Sequence, residues 1–379
     1  MATIEDAPMR LSPAPLEDWL RDYYFTAEID ISSSGVEPYT MAELRAVAGV
    51  RHADIDQLVF DDGYSLGRPE VREVIARGFG NGDARRVMTT NGSSEAISLV
   101  LSALLSPGEE IVVMQPGYHL LVEYARGLGC RLVTWRLDPA NRWRPSLDEL
   151  DSLVTDRTRA IVVNFPHNPT GATITEPELS RLLAIAENVG AYVLWDAAFN
   201  GLVYDTEPLP PVSTRYERGI DFGTFSKGFG LPGLRFGWCV APPDVLSDCV
   251  RIRDYTTLHV APLIELLALA VLENAEAFLA PRLAQARHNR GLVAEWAAAE
   301  SGRVSVDLLD GGAATFPRLH GMQSADAFCD DLFNRHSVLV IPGSVFGEPQ
   351  HVRLGYGGST ADLQRGLERF STALSEWFS

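Results

Sequence analysis

Between residues 87 and 241 the chain alternates short apolar runs with stretches whose apolar positions recur at helical spacing. The runs fall at 87–90, 111–114, 131–135, 160–165, 191–195, 221–225 and 236–240. Several are apolar at successive positions, as in Ala160-Ile161-Val162-Val163, the pattern of a strand buried on both faces. Helix-like segments lie between them at 93–105 and 176–189, and Ser106-Pro107-Gly108 stops the first. This alternation predicts an α/β fold, a mostly parallel central sheet with helices on both faces.

After Ala261 the pattern changes. Helical stretches at 262–272 and 276–300 precede short strands at 304–308, 314–319 and 338–341 and a closing helix at 360–377. That mix predicts a smaller α+β domain joined by a long helix. The stretch before Val36 is too short to fold alone and is expected to pack on it. The expected division is a large domain over 36–275 and a small domain made of 1–35 together with 276–379.

Composition narrows the function classes. At 46% apolar and 22% charged residues, the 379-residue chain is neither disordered nor fibrous. Its 32 Lys and Arg against 50 Asp and Glu leave a net charge of −18. Such a surface repels phosphate backbones and anionic lipid, so neither nucleic acid nor membrane is an expected partner. The longest apolar stretch, 260–272, contains Pro262 and Glu265 and is too short to span a bilayer. The four cysteines form no CxxC pair, so neither a disulfide framework nor a metal site is expected. Reduced thiols of a cytoplasmic protein are. Residues 1–6 are acidic with no apolar run, which argues against a signal peptide.

Candidate chemistry lies in the turns that follow the strands. Thr224-Phe225-Ser226-Lys227-Gly228-Phe229-Gly230 places a lysine in a Ser/Gly-rich turn, with Arg235 eight residues on. A lysine that attacks an aldehyde must be held near neutral by its surroundings. Ser226 and Arg235 suit a phosphate dianion beside it. The same segment matches GxGxxG at Gly228, Gly230 and Gly233, but Pro232 and the apolar run after it predict a loop entering a strand, not a dinucleotide-binding helix. Asp196 ends the run Val193-Leu194-Trp195, at the strand edge where α/β sheets bind ligands. A buried carboxylate there wants a cation, such as a protonated pyridine nitrogen. Asn168, in Asn164-Phe165-Pro166-His167-Asn168-Pro169-Thr170-Gly171, is a donor for a phenolate oxygen in a string more constrained than a turn requires. Ser93 and Ser94, after Thr90-Asn91-Gly92, open a helix whose N-terminus suits an anion, although Ser93 also reads as an ordinary N-cap. Tyr118 is placed to stack on a ring, and Arg353 to fork onto a carboxylate.

Taken in this order, the segments resemble the fold-type I pyridoxal-phosphate family of the aspartate aminotransferase type, over nearly the whole chain. The resemblance implies pyridoxal 5′-phosphate as cofactor, held as a Schiff base on Lys227, which also shuttles protons. It implies Asp196 on the ring nitrogen, Asn168 on the phenolate oxygen and Tyr118 on the ring face. Ser93, Ser94, Thr224, Ser226 and Arg235 are implied at the phosphate. Arg353, Asn168 and Gly35 are implied at the substrate. Tyr64, ahead of Gly67-Arg68-Pro69-Glu70-Val71-Arg72, is implied to reach a second copy's phosphate, hence a homodimer with shared active sites.

One position departs from that family. Phe199 stands three residues after Asp196, where the family usually has a tyrosine that helps hold the phenolate oxygen. A narrower resemblance lies in Ala14-Pro15-Leu16-Glu17-Asp18-Trp19-Leu20-Arg21-Asp22-Tyr23-Tyr24-Phe25 and Asp30-Ile31-Ser32-Ser33-Ser34-Gly35-Val36, which are similar to capreomycidine synthases. It implies a lyase that dehydrates and cyclises (2S,3S)-3-hydroxyarginine for peptide antibiotic biosynthesis. The alternatives are an amino-acid aminotransferase and, remotely, a cofactor-binding regulator; the stretch before Gly35 is expected to be too short for the DNA-binding region such proteins append, and the charge of −18 opposes DNA binding. Glu17, Asp18 and Glu37 are available to a guanidinium group, with solvated surface charge as the default reading.

Overall fold

The computed structural model describes residues 11–379. The acidic opening at residues 1–6, read above for a signal peptide, lies outside them. The first strand, β1 (Ile29–Asp30), is short. Seven more follow at the expected places: β2 (Val87–Thr90), β3 (Glu110–Gln115), β4 (Arg131–Arg136), β5 (Thr158–Asn164), β6 (Tyr192–Asp196), β7 (Gly219–Thr224) and β8 (Gly237–Val240). These seven form one sheet in the order β2-β8-β7-β6-β5-β3-β4. β8 runs antiparallel to both its neighbours, and every other pairing is parallel.

The successive apolar positions have a simple cause. Side chains alternate across the pleat, and both faces are covered. Val112, Met114, Ile161, Val163 and Val193 pack with Leu179, Leu182 and Ala186 of the helix Glu176–Val189. Ile111, Val113, Ala160, Val162 and Leu194 pack with Ile97, Val100 and Leu101 of the helix Ser93–Leu104. Local signals fix the helix ends. Thr175 and Glu178 form a capping box, and Gly190 closes the same helix at φ 68°. β4 lies at the sheet edge, where Arg131 and Arg136 face solvent.

The later half follows the expected order with shorter strands. The run at 314–319 splits into Ala314–Thr315 and Arg318–Leu319, because Pro317 between them has no N–H to give a ladder. The run at 338–341 turns at Val340, so that Val338–Leu339 pairs with β1 and Ile341–Pro342 with Val352–Gly355. Only Val304–Ser305 of the run at 304–308 is paired. The sequence reading gave no signal for the helix Asp326–His336 or the strand Val352–Gly355. The helices Ala275–Ala299 and Thr360–Trp377 stand where periodicity put them.

The segment before Val36 is woven into this second set. β1 runs parallel to Val338–Leu339. The helix Pro15–Tyr23 is held by Trp19 Nε1, which donates to the Val340 carbonyl (3.0 Å), and by the Tyr23 hydroxyl, which donates to Asp330 (2.8 Å). Among the described residues no helix is long and apolar enough to cross a membrane.

A buried polar cluster secures the segment around Tyr64. Arg253, fully buried, donates to the carbonyls of Ser65 (2.9 Å) and Thr89 (2.8 Å) and lies 3.3 Å from Glu95. Glu265 accepts from the Arg68 N–H and the Thr89 hydroxyl, both at 2.9 Å. Replacing Arg253 by Ala leaves the buried Thr89 carbonyl without this donor and the Glu95 carboxylate without its cation. We expect Arg253→Ala to lose about 3–5 kcal/mol of stability in urea unfolding.

Candidate active site

The carboxyl ends of β3, β5, β6 and β7 converge on one cavity of about 530 Å³. β4 lies on one side of β3 and β5 on the other, so the strand order reverses there, as it does at ligand sites of open α/β sheets. The cavity wall includes Ser93, Ser94, Tyr118, Asn168, Asp196, Thr224, Ser226, Lys227, Arg235 and Arg353. Ten of the twelve residues singled out from the sequence are therefore brought together.

The other two stand apart. Tyr64 is 62% exposed on the outer surface. Gly35 is buried behind the wall, where a Cβ would come within 3.2 Å of the Ser226 carbonyl.

At one end the wall is built for an anion. The helix Ser93–Leu104 begins with its N-terminus at the cavity, and its N-cap is Gly92 rather than Ser93. Ser93 is thus free of the capping role and sits in the first turn, where N–H groups are unpartnered. Close approach explains the glycines. A Cβ on Gly92 would lie 2.6 Å from Arg235 Nη2, and one on Gly237 would lie 2.5 Å from the Ser93 nitrogen. Arg235 is held at φ 55° and donates to the Ser226 hydroxyl (3.3 Å) and the Pro232 carbonyl (3.1 Å). The Thr224 hydroxyl donates to that of Ser226 (3.1 Å). A single 3-10 turn at Pro232–Leu234 leads into β8, so the GxGxxG match opens no α-helix.

In the middle, Asp196 is 5% exposed and accepts one hydrogen bond, from the Ala198 N–H (3.1 Å). Burial pushes its carboxyl up to about 6, against the opposing pull of that hydrogen bond and of Lys227. Such a carboxylate fits a cationic or N–H-bearing ligand. Lys227 donates to the Ser34 hydroxyl (2.9 Å), and its Nζ lies 5.7 Å from the centre of the Phe199 ring. Desolvation, helped by Arg353, pulls the ammonium down to about 8. An amine with that value is largely nucleophilic in mildly basic solution.

At the far end Arg353 is 3% exposed. It donates from Nε (3.1 Å) and Nη2 (2.9 Å) to the Ser32 carbonyl and from Nη1 to Asn168 Oδ1 (3.3 Å). Its partners are neutral oxygens, and burial lowers its pKa to about 10, so an anionic ligand would relieve a desolvated charge. Asn168 is positioned by Asn164, whose Oδ1 accepts from the Asn168 N–H (2.8 Å) and whose Nδ2 donates to the Asp196 carbonyl (2.9 Å). His167 bridges Thr170 (2.8 Å) and the Pro116 carbonyl (2.7 Å), tying this turn to the one that carries Tyr118. Burial holds that imidazole neutral, at about 4.

Sequence reasoning missed Asn164, Ser34 and the inward face of the helix Pro15–Tyr23, which brings Leu16, Glu17 and Leu20 to the cavity. Glu17 is thus half-buried and faces the cavity. Glu37 is committed elsewhere, to Arg282 (3.2 Å) and Gln285 (2.7 Å). Asn164 had a signal, since it ends a strand inside a motif already singled out. Ser34 had none.

A family model described as aminotransferase class I and II matches residues 46–370. The chain belongs to that family. It is 47% identical to a capreomycidine synthase of Streptomyces vinaceus over 97% of this chain and 95% of that one. An aspartate aminotransferase of Pyrococcus horikoshii is 29% identical over 82% of each. The solved structure of the PLP-dependent cyclase OrfR superposes with a TM-score of 0.92 at 40% identity, covering 98% of this chain and 99% of that one. The protein is a pyridoxal-phosphate-dependent enzyme of the aminotransferase fold.

The residues present fit that cofactor, with an anion cup at one end, a buried carboxylate in the middle and a near-neutral lysine beside it. Lys227 should react with an aldehyde along a pH curve centred near 8, since only the deprotonated amine attacks and the cavity lowers its pKa. Site-resolved reductive methylation of cofactor-free protein, read by mass spectrometry, checks this. A midpoint near the ordinary lysine value would contradict it.

Proposed function

We propose that the protein is a capreomycidine synthase-like cyclase. It would remove the β-hydroxyl of (2S,3S)-3-hydroxyarginine as water and join a guanidino nitrogen to Cβ, closing a six-membered ring. The observation that carries this reading is the extent of the similarity. The capreomycidine synthase match reaches 97% of the chain at 47% identity, whereas the aspartate aminotransferase match stops at 82% and 29%. Phe199 agrees with it, being an apolar ring in the cavity where aminotransferases of this type usually offer a hydroxyl.

In this reading Ser93, Ser94, Thr224, Ser226 and Arg235 hold the cofactor phosphate, Asp196 its ring nitrogen, Asn168 its phenolic oxygen and Tyr118 one ring face. Lys227 carries the cofactor. When bound, pyridoxal phosphate supplies a ring that stabilises negative charge at the substrate's Cα. The chain does the rest. Arg353 clamps the α-carboxylate and so fixes which Cα bond faces Lys227. Lys227 Nζ takes the α-proton and later returns it to Cα. The hydroxyl leaves Cβ with its bonding electrons and one proton, and the attacking nitrogen gives up one proton, so the net loss is one water. Nothing requires a second substrate.

The same reading takes 36–275 as the cofactor-binding body and 1–35 with 276–379 as its smaller companion. Four buried free thiols suit a reducing compartment such as the cytoplasm. It also takes the active form as a homodimer. Tyr64 lies near exposed Val59, Phe60, Tyr255 and Leu258, and the segments are joined where His259 meets Asp62 (3.6 Å). Apolar side chains this exposed in neighbouring segments suit a partner surface.

Purified, cofactor-loaded protein given (2S,3S)-3-hydroxyarginine without a keto acid should yield a product lighter by one water. Turnover that appears only with a keto acid would return the enzyme to the aminotransferases. By light scattering the protein should have twice the chain mass, and Phe60→Asp should halve it. A monomeric wild type would sink the shared-site reading.

A further inference from the structure

On the cyclase reading, the substrate carries a cationic side chain that the residues assigned so far leave unbound. Among the described residues two carboxylates line the cavity, Asp196 and Glu17. Asp196 is assigned to the cofactor. Glu17 belongs to the helix Pro15–Tyr23, which presents Leu16, Glu17 and Leu20 to the cavity. Its neighbour Asp18 is turned away and pairs with Arg21 (2.8 Å).

The cations of the cavity have other partners. Lys227 is bonded to Ser34, Arg235 to Ser226 and Pro232, and Arg353 to Ser32 and Asn168. Among the described residues the Glu17 carboxylate has no hydrogen bond or ion pair, although its field reaches Lys227, Arg353 and Tyr118. It is half-buried at the wall, between two leucines. A cation on a short apolar stem matches that setting: the stem packs on Leu16 and Leu20, and a planar guanidinium offers paired N–H groups to the carboxylate. The site is then polarised, with Arg353 for the carboxylate end of the substrate and Glu17 for the cationic end. The helix is fixed by Trp19 and Tyr23, so the carboxylate is presented from a held element rather than a loose terminus.

We propose that Glu17 is the specificity-determining residue for the substrate side chain, binding a guanidinium group by a charge-assisted hydrogen bond. This rests on the cyclase reading. The probes are L-arginine, which lacks the leaving hydroxyl, and L-citrulline, its neutral counterpart of equal length. Calorimetric titration of the cofactor-loaded wild type should show arginine bound about 10- to 100-fold more tightly, the worth of one such bond. In Glu17→Gln that preference should collapse through weaker arginine binding, with citrulline unchanged, and KM for 3-hydroxyarginine should rise more than kcat falls. Glu17→Asp keeps the charge on a shorter stem and should recover part of the preference. It also serves if the glutamine variant does not fold, since it should then weaken arginine alone. A Glu17→Gln protein that keeps the wild-type arginine-to-citrulline ratio while the wild type still cyclises hydroxyarginine overturns the role of Glu17 and leaves the cyclase standing. A wild type that neither prefers arginine nor dehydrates hydroxyarginine overturns both.

Discussion

Two opposite charges, Asp196 and Arg353, are almost wholly withdrawn from water inside one cavity, and Lys227 is partly withdrawn beside them. Among the described residues neither Asp196 nor Arg353 forms an ion pair there. Desolvation costs several kcal/mol for an uncompensated ion, and it shows in the direction of each shift: the carboxyl goes up, the ammonium and guanidinium go down. A site left in that condition is stable only because the surrounding fold holds it, and a ligand with charges at matching places relieves it. Pyridoxal phosphate with an amino acid has charges of the required signs.

The fold supplies the rigidity this demands. Asn164, Asp196 and Thr224 end three adjacent strands of the sheet, so ladder hydrogen bonds set their spacing. The turns beyond them are tied to one another rather than to solvent. His167 links the Asn168 turn to the Tyr118 turn, and Asn164 links the Asn168 backbone to that of Asp196. Neutral partners serve well here, because a protonated His167 would add another desolvated charge to a region already holding three.

Legibility in the sequence follows the range of the interactions. The strands of the central sheet were readable because burial on both faces writes itself as local apolar runs. Lys227, Asp196, Asn168 and Arg235 were readable because each lies in a turn fixed by its own neighbours in sequence. The helix Pro15–Tyr23 was different. Its place over the cavity depends on Val340 and Asp330, more than 300 residues away, and no local pattern reports such a contact. Glu17 therefore read as surface charge. Ser34, which meets Lys227 across 193 residues, was hidden for the same reason. The strand at 314–319 failed for a local reason, since Pro317 weighed less in the apolar pattern than it does in a ladder.

The asymmetry of the cavity also bears on the type of reaction. An aminotransferase must receive an amino acid and a keto acid in turn at the same place, so its side-chain pocket has to tolerate two different occupants. A cyclase holds one molecule from entry to release. For such an enzyme a fixed carboxylate opposite a fixed guanidinium has no second substrate to exclude, and binding energy at both ends can be used to bring the side-chain nitrogen over Cβ. The ring can close only if the side chain folds back, so the carboxylate must hold the guanidinium without stretching the chain away from Cα. Glu17 is suited to this by its element: it is carried on the helix Pro15–Tyr23, which lines the same cavity as Lys227 instead of lying beyond it.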